Sequence, residues 1–271
     1  MYYGLIFQRL ILKKPYNHSI KENDVMVKLK HAELLKRATS TLVLVPIIVF
    51  LLVDASGAGF VLLLMMSGCI ALYELSVMSH TALSTHLIIN VLMMVLFFYL
   101  MNGMPVEYFF LIWLSIFSLF YVFRQRWVYS FLYNGLIASA WVFSIALWQL
   151  DHWSLVIALS LIWSVDIAQY CVGRCIGHYP LCQSISPNKT IEGAVAGCVV
   201  GLAWPWLPIQ GLFVAIGAIV GDLIESRLKR IFNTKDSGDI VPGHGGLLDR
   251  LDSLIVGLPI YYLLIKLGVS S

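Results

Sequence analysis

Nine apolar stretches divide this 271-residue chain, and they constrain its fold more than any other feature. They run at about Thr39 to Val53, Gly59 to Val77, Leu87 to Met101, Tyr108 to Phe123, Phe131 to Trp148, Ser154 to Cys171, Ala194 to Trp206, Gly211 to Ile224 and Ser253 to Leu267. A bilayer core about 30 Å thick takes roughly 20 such residues as a helix. Several runs are shorter, so their helices must extend into flanking polar residues. Only 12% of residues are charged against 59% hydrophobic, so water is not the main solvent. The fold class that follows is an all-α polytopic membrane protein of about nine transmembrane helices. Trp127, Trp148, Trp153 and Trp204 suit the headgroup level. A net charge of +3 is too small to argue for nucleic acid, and five cysteines beside apolar runs do not make a disulfide framework.

The basic residues orient the bundle. Residues 1–38 hold eight of the eighteen Lys and Arg without an apolar run long enough to span. Either they form an amphipathic or disordered tail, or translation begins at Met26. With that tail on the cytoplasmic side and alternating spans, Arg124, Arg126, Arg174, Lys189, Arg227, Lys229, Arg230, Lys235 and Arg250 all fall inside. Only Lys266 goes against the pattern. The chain then divides into the tail, an N-terminal transmembrane half at 39–153 and a C-terminal half at 154–271. Glu74 is the sole intramembrane acid of the first half. The second half carries two long cytoplasmic connections, about 173–192 and 226–252, rich in Gly, Pro, Ser and charge.

Chemistry concentrates in those connections. From Gly221 to Leu254 charge rises abruptly, and on a helix Asp222, Glu225, Ser226 and Lys229 share one face. After Pro242-Gly243, His244-Gly245-Gly246 precedes a helix on which Asp249 and Asp252 share a face with Arg250 between them. Acids at a membrane boundary are paired, hydrated or metal-bound. Carboxylates from two helices suit a hard cation such as Mg2+ arriving with phosphates, and glycines ahead of a helix start let backbone amides approach phosphate oxygens. Upstream, Asp166 and Tyr170 lie one turn apart. Ser186-Pro187-Asn188-Lys189-Thr190 then leads to Glu192 and a helix start, where phosphate binding and a simple Ser/Thr N-cap are equal accounts. Cys171, Cys175, Cys182 and His178 match no trusted zinc spacing.

These residues carry a family resemblance. Ser226, Leu228, Lys229-Arg230, Lys235-Asp236, Pro242, His244-Gly245-Gly246 and Asp249-Arg250-Leu251-Asp252 stand in the order and spacing of the phosphatidate cytidylyltransferases, also called CDP-diacylglycerol synthases. Asp166, Tyr170, Gly173-Arg174, Gly177, Ser186-Pro187, Lys189-Thr190 and Glu192-Gly193 match the family's upstream series. The chain resembles that family over about residues 34–271. It departs at Gln169, where Ala is common, and at His178, where Lys is common.

The resemblance implies transfer of the cytidylyl group of CTP to phosphatidate, with a homodimer in the bacterial cytoplasmic (inner) membrane and an active site facing the cytoplasm. It implies Asp222 and Asp249 as ligands of Mg2+, with Asp252 in reserve. Lys189, Lys229, Arg230, Lys235 and Arg250 are then expected on phosphates, assisted by Ser186 and the amides of Gly245 and Gly246. Asp236 would bind a second cation or orient Lys235, and His244 would donate a hydrogen bond to phosphate rather than act as a base. Asp166 and Glu74 are candidates to line lipid headgroup access, with a buried interhelix hydrogen bond an equal reading of Glu74. Two rival classes stand beside this one: a cytidylyltransferase for an isoprenoid ether lipid, and a transporter using intramembrane acids. The dense cytoplasmic connections and the lack of internal repeats weigh against the transporter.

Overall fold

In a computed structural model, the described residues are 46–52, 57–103, 125–205, 208–238 and 245–268. The N-terminal tail, the fourth apolar run, Pro242 and His244 lie outside them.

Among the described residues, seven of the nine apolar runs fold as helices, and residues 46–52 of the first run are also helical. In chain order the seven are α1 Ala58–Ser79, α2 Leu83–Gly103, α3 Arg126–Leu150, α4 His152–Ile176, α5 Ile191–Leu202, α6 Pro208–Ile231 and α7 Leu248–Lys266. Of these, α1, α3, α4 and α6 are long and apolar enough to cross a membrane. The helix ends do extend into polar sequence. The eighth run stops near Ile224, yet α6 continues to Ile231 and carries Asp222, Glu225 and Lys229 as one helical face. Likewise α7 begins at Leu248, ahead of its apolar run, and takes in Asp249 and Asp252.

One element was not expected from an all-α reading. Between α4 and α5 the chain makes a small antiparallel hairpin, β1 Pro180–Cys182 and β2 Ser186–Thr190, pairing Pro180 with Thr190 and Cys182 with Ser186. Strands of three and five residues, each containing a proline, carry too little alternation to signal themselves.

The packing order places the site. Helix α3 is the most enclosed span, with 78% of its apolar window buried against 33% for α4. It holds α2 through buried amides: Asn90 Nδ2 donates to Asn134 Oδ1 at 2.8 Å, and Asn134 Nδ2 to the His86 carbonyl at 3.0 Å. In a bundle without water between helices, such interhelical bonds take over part of the adhesion. Helix α6 packs along α7, α4 along α5 and α5 along α6. Trp127 and Trp153 are exposed, whereas Trp148 stacks on Phe60 with centroids 5.2 Å apart. All five cysteines are free thiols.

Candidate active site

Close approach of α6 and α7 brings their acids together. Gly221 makes that approach possible, because a Cβ there would collide with the backbone carbonyl of Asp252. The next residue, Asp222, therefore faces Asp252 across the helix pair. One turn further on, Glu225 joins them: one carboxylate oxygen from each of Asp222, Glu225 and Asp252 falls within 4.8 Å of the others. Glu225 is fully buried, and its Oε1 has no hydrogen-bond partner. An unsatisfied carboxylate oxygen among two more carboxylates is costly in a low-dielectric interior. An all-oxygen donor set of this kind fits a hard divalent cation such as Mg2+.

Asp249 occupies a different environment. Its Oδ1 takes Lys229 Nζ at 2.6 Å, and its Oδ2 accepts the amides of Gly246 at 3.1 Å and Ser237 at 3.3 Å. Lys229 also reaches Glu225 Oε2 at 2.8 Å, so one ammonium bridges two acids from two helices.

The hairpin closes the other wall. Lys189 on β2 forms an ion pair with Asp222 Oδ2. Thr190 caps α5, its Oγ1 accepting the amide of Gly193 at 3.2 Å. Thr190 thus caps α5 and also lines the site beside Ser186 and Lys189. Glu192 accepts the amides of His178 at 3.0 Å and Tyr179 at 3.2 Å, which ties the chain leaving α4 to the start of α5.

Between these walls lies a cavity of about 620 Å³, within the range of small-molecule sites. Its acids are Asp166, Asp222, Asp249 and Asp252, and its cations Arg174, Lys189 and Arg250. Ser186, Asn188 and Thr190 add polar groups. Asp166 accepts from Gln169 Nε2 at 3.3 Å, and Arg174 donates to the Tyr170 hydroxyl at 2.5 Å. Four carboxylates against three cations would repel a triphosphate, so a bound divalent cation would also reverse the sign of the wall.

The expected site residues thus separate into groups. Asp222, Asp249, Ser186, Lys189 and Arg250 line the cavity together. Lys229 is held between Glu225 and Asp249, and the Gly246 amide is committed to Asp249. Gly245, at φ 83°, makes the turn ahead of α7. Arg230 is exposed and donates from Nε to the Ile185 carbonyl in the hairpin turn at 3.2 Å. Lys235 and Asp236 are exposed beyond the end of α6, off the cavity lining. Glu74 does not line the cavity either, whereas Asp166 does. Glu225 had no assigned role in the sequence reading; its signal was the three-residue spacing from Asp222. Arg174 and Asn188 were likewise unassigned.

The sequence model of the cytidylyltransferase family matches residues 35–268. Similar proteins include a phosphatidate cytidylyltransferase of Bacillus subtilis, 41% identical over 124 residues, which is 41% of this chain and 46% of the relative. One of Brucella suis is 39% identical over 123 residues, covering 41% and 46% respectively, and one of Synechocystis is 40% identical over 126, covering 41% and 43%. The aligned part spans less than half the length of each of these relatives. A family match over most of the sequence shows that this chain belongs to the cytidylyltransferase family.

Proposed function

We propose that the protein transfers the cytidylyl group of CTP to phosphatidate, giving CDP-diacylglycerol and pyrophosphate. The observation that carries this reading is the cavity itself, in which carboxylates of α4, α6 and α7 face Lys189, Arg174 and Arg250 at the polar ends of apolar helices. A soluble nucleotide and a lipid phosphate can meet only at such a boundary. The relatives named above support the substrate pair.

In the proposed reaction a phosphate oxygen of phosphatidate attacks the α-phosphorus of CTP. A new P–O bond forms, the bond between the α-phosphorus and the bridging oxygen breaks, and pyrophosphate leaves with that oxygen. The attacking oxygen is already anionic near neutral pH, so no strong base is required. The protein's task is to gather charge and align the line of attack. Lys189, Arg250 and Arg174 would bind phosphates, with Ser186 assisting. When bound, a divalent cation supplies charge neutralisation for the triphosphate and for the departing pyrophosphate.

Two ligand sets for that cation share Asp222. The motif pairs Asp222 with Asp249, and both line the cavity. The clustering of oxygens and the unpartnered Oε1 of Glu225 favour Asp222 with Glu225 and Asp252, leaving Asp249 to hold Lys229. Manganese binding followed by electron paramagnetic resonance separates them: Asp249→Asn weakens binding as much as Asp222→Asn only if the motif pair is right. Lys235 and Asp236 are proposed at the nucleotide end, with His244 as a phosphate donor.

Four helices long and apolar enough to span support a membrane protein. Nine spans with the site facing the cytoplasm of a bacterial inner membrane, and a homodimer, complete the reading. Its test is purified protein with phosphatidate, radiolabelled CTP and Mg2+, run beside an isoprenoid ether lipid phosphate. Labelled CDP-diacylglycerol is the expected product. A CDP-ether lipid formed in its place would assign the other cytidylyltransferase class, and no labelled lipid from either would remove the enzyme reading.

A further inference from the structure

Helix α7 carries two of the site's acids but has no capping side chain of its own at Leu247, its N-cap. The first amides of a helix have no intrahelical partner and must be met from elsewhere. Here they are met from the opposite end of the sequence. Glu74 of α1, only 1% exposed, accepts the Leu247 amide on Oε1 and the Leu248 amide on Oε2, each at 2.8 Å. Ser237 Oγ donates to Oε2 as well, at 3.4 Å. The packing is equally close, since a Cβ on either Gly238 or Gly246 would lie 2.8 Å from a Glu74 oxygen.

Glu74 thus holds two short segments, one at 237–238 and one at 246–248. The same two segments supply the Ser237 and Gly246 amides that fix Asp249 Oδ2, and Asp249 in turn fixes Lys229. We propose that Glu74 is a positioning residue for the reaction: it caps α7 and so sets Asp249, Lys229 and the α7 face of the acid cluster. It touches no substrate and lies outside the cavity. Bonds from amides to a carboxylate are strong, and the helix dipole adds to them. No other acid in the described part of the first half is buried against the second. This inference rests on the proposed transfer for its kinetic arm alone.

The test compares wild type, Glu74→Gln and Glu74→Asp in lipid nanodiscs. Gln keeps the size but sets an NH2 against a backbone N–H, and Asp keeps the charge but is one methylene short. In Glu74→Gln, hydrogen exchange at amides 245–248 of the substrate-free protein should quicken about tenfold. The kcat should fall about tenfold while the KM for CTP stays within about threefold, with part of the rate regained in Glu74→Asp. Unchanged exchange overturns the proposal, and so does faster exchange with a wild-type kcat. Should the Gln variant not fold, Glu74→Asp decides: faster exchange with lowered kcat supports positioning, and wild-type values in both overturn it. A wild-type protein that makes no CDP-lipid sinks the functional reading instead, and the exchange comparison still shows whether Glu74 holds the start of α7.

Discussion

Two buried acids of this protein have nearly the same exposure and opposite circumstances. Glu74 on α1 is 1% exposed and has donors on both oxygens, two of them backbone amides at 2.8 Å. Glu225 on α6 is 0% exposed, yet one oxygen is unpartnered and two further carboxylates crowd it. Burial alone does not distinguish structure from chemistry. What differs is completeness: both oxygens of Glu74 are met by donors of the chain, whereas Oε1 of Glu225 is left without one beside two further carboxylates.

The largest effect should come from breaking the unsatisfied side. Asp222→Asn removes the carboxylate shared by both proposed ligand sets and ends the ion pair with Lys189. We expect CDP-lipid formation to fall by about 10²–10³-fold or more, the scale for losing a main electrostatic contact in an active site. The protein should still insert and elute as wild type does, because Asp222 supports no helix end. Full activity would dissolve the contrast.

Next in size is Glu225→Gln, which sharpens it. Removing one charge from a crowded set relieves repulsion, so thermal stability should hold or rise while manganese affinity falls about tenfold. Glu74→Gln should do the reverse, disturbing the start of α7 before it disturbs metal binding. If the two variants respond alike in stability and in metal affinity, satisfied and unsatisfied acids are not different in kind here.

Sequence patterns and physical contacts divide the credit for these assignments. The apolar runs anticipate every labelled helix because a bilayer demands them, and the spacing of Asp222, Glu225 and Lys229 anticipates their common face because it follows from helical geometry alone. The hairpin was illegible because its strands are short and contain Pro180 and Pro187. The role of Glu74 stayed open between headgroup access and a buried bond, since its partners at Leu247 and Leu248 lie more than 170 positions away and are backbone amides, which leave no mark on side-chain pattern. For the same reason the resemblance puts Asp249 ahead of Asp252 as a metal ligand: a motif records which acids are present, not which one Lys229 occupies.

Lys189→Ala should have a moderate effect, because Lys189 is one of three cations on the cavity and its partner Asp222 stays in place. The KM for CTP should rise about tenfold with a smaller change in kcat. A change in kcat alone would mean that Lys189 acts through Asp222 and not on the nucleotide.

Arg230 should give the smallest response, and it tests whether the hairpin is held independently of the acid cluster. The motif assigns Arg230 to phosphate, but its Nε donates to the Ile185 carbonyl from an exposed position, and it does not line the cavity. A hydrogen bond of this kind is worth about 1 kcal/mol, so Arg230→Ala should raise the KM for CTP by no more than about fivefold through loosening the hairpin turn. Arg230→Lys discriminates the two roles. Lysine keeps the positive charge but lacks a donor at the Nε position of the planar fork. If the tie to Ile185 is what matters, the Lys variant behaves like the Ala variant; if Arg230 reaches phosphate, Lys retains most of the affinity and Ala loses about tenfold.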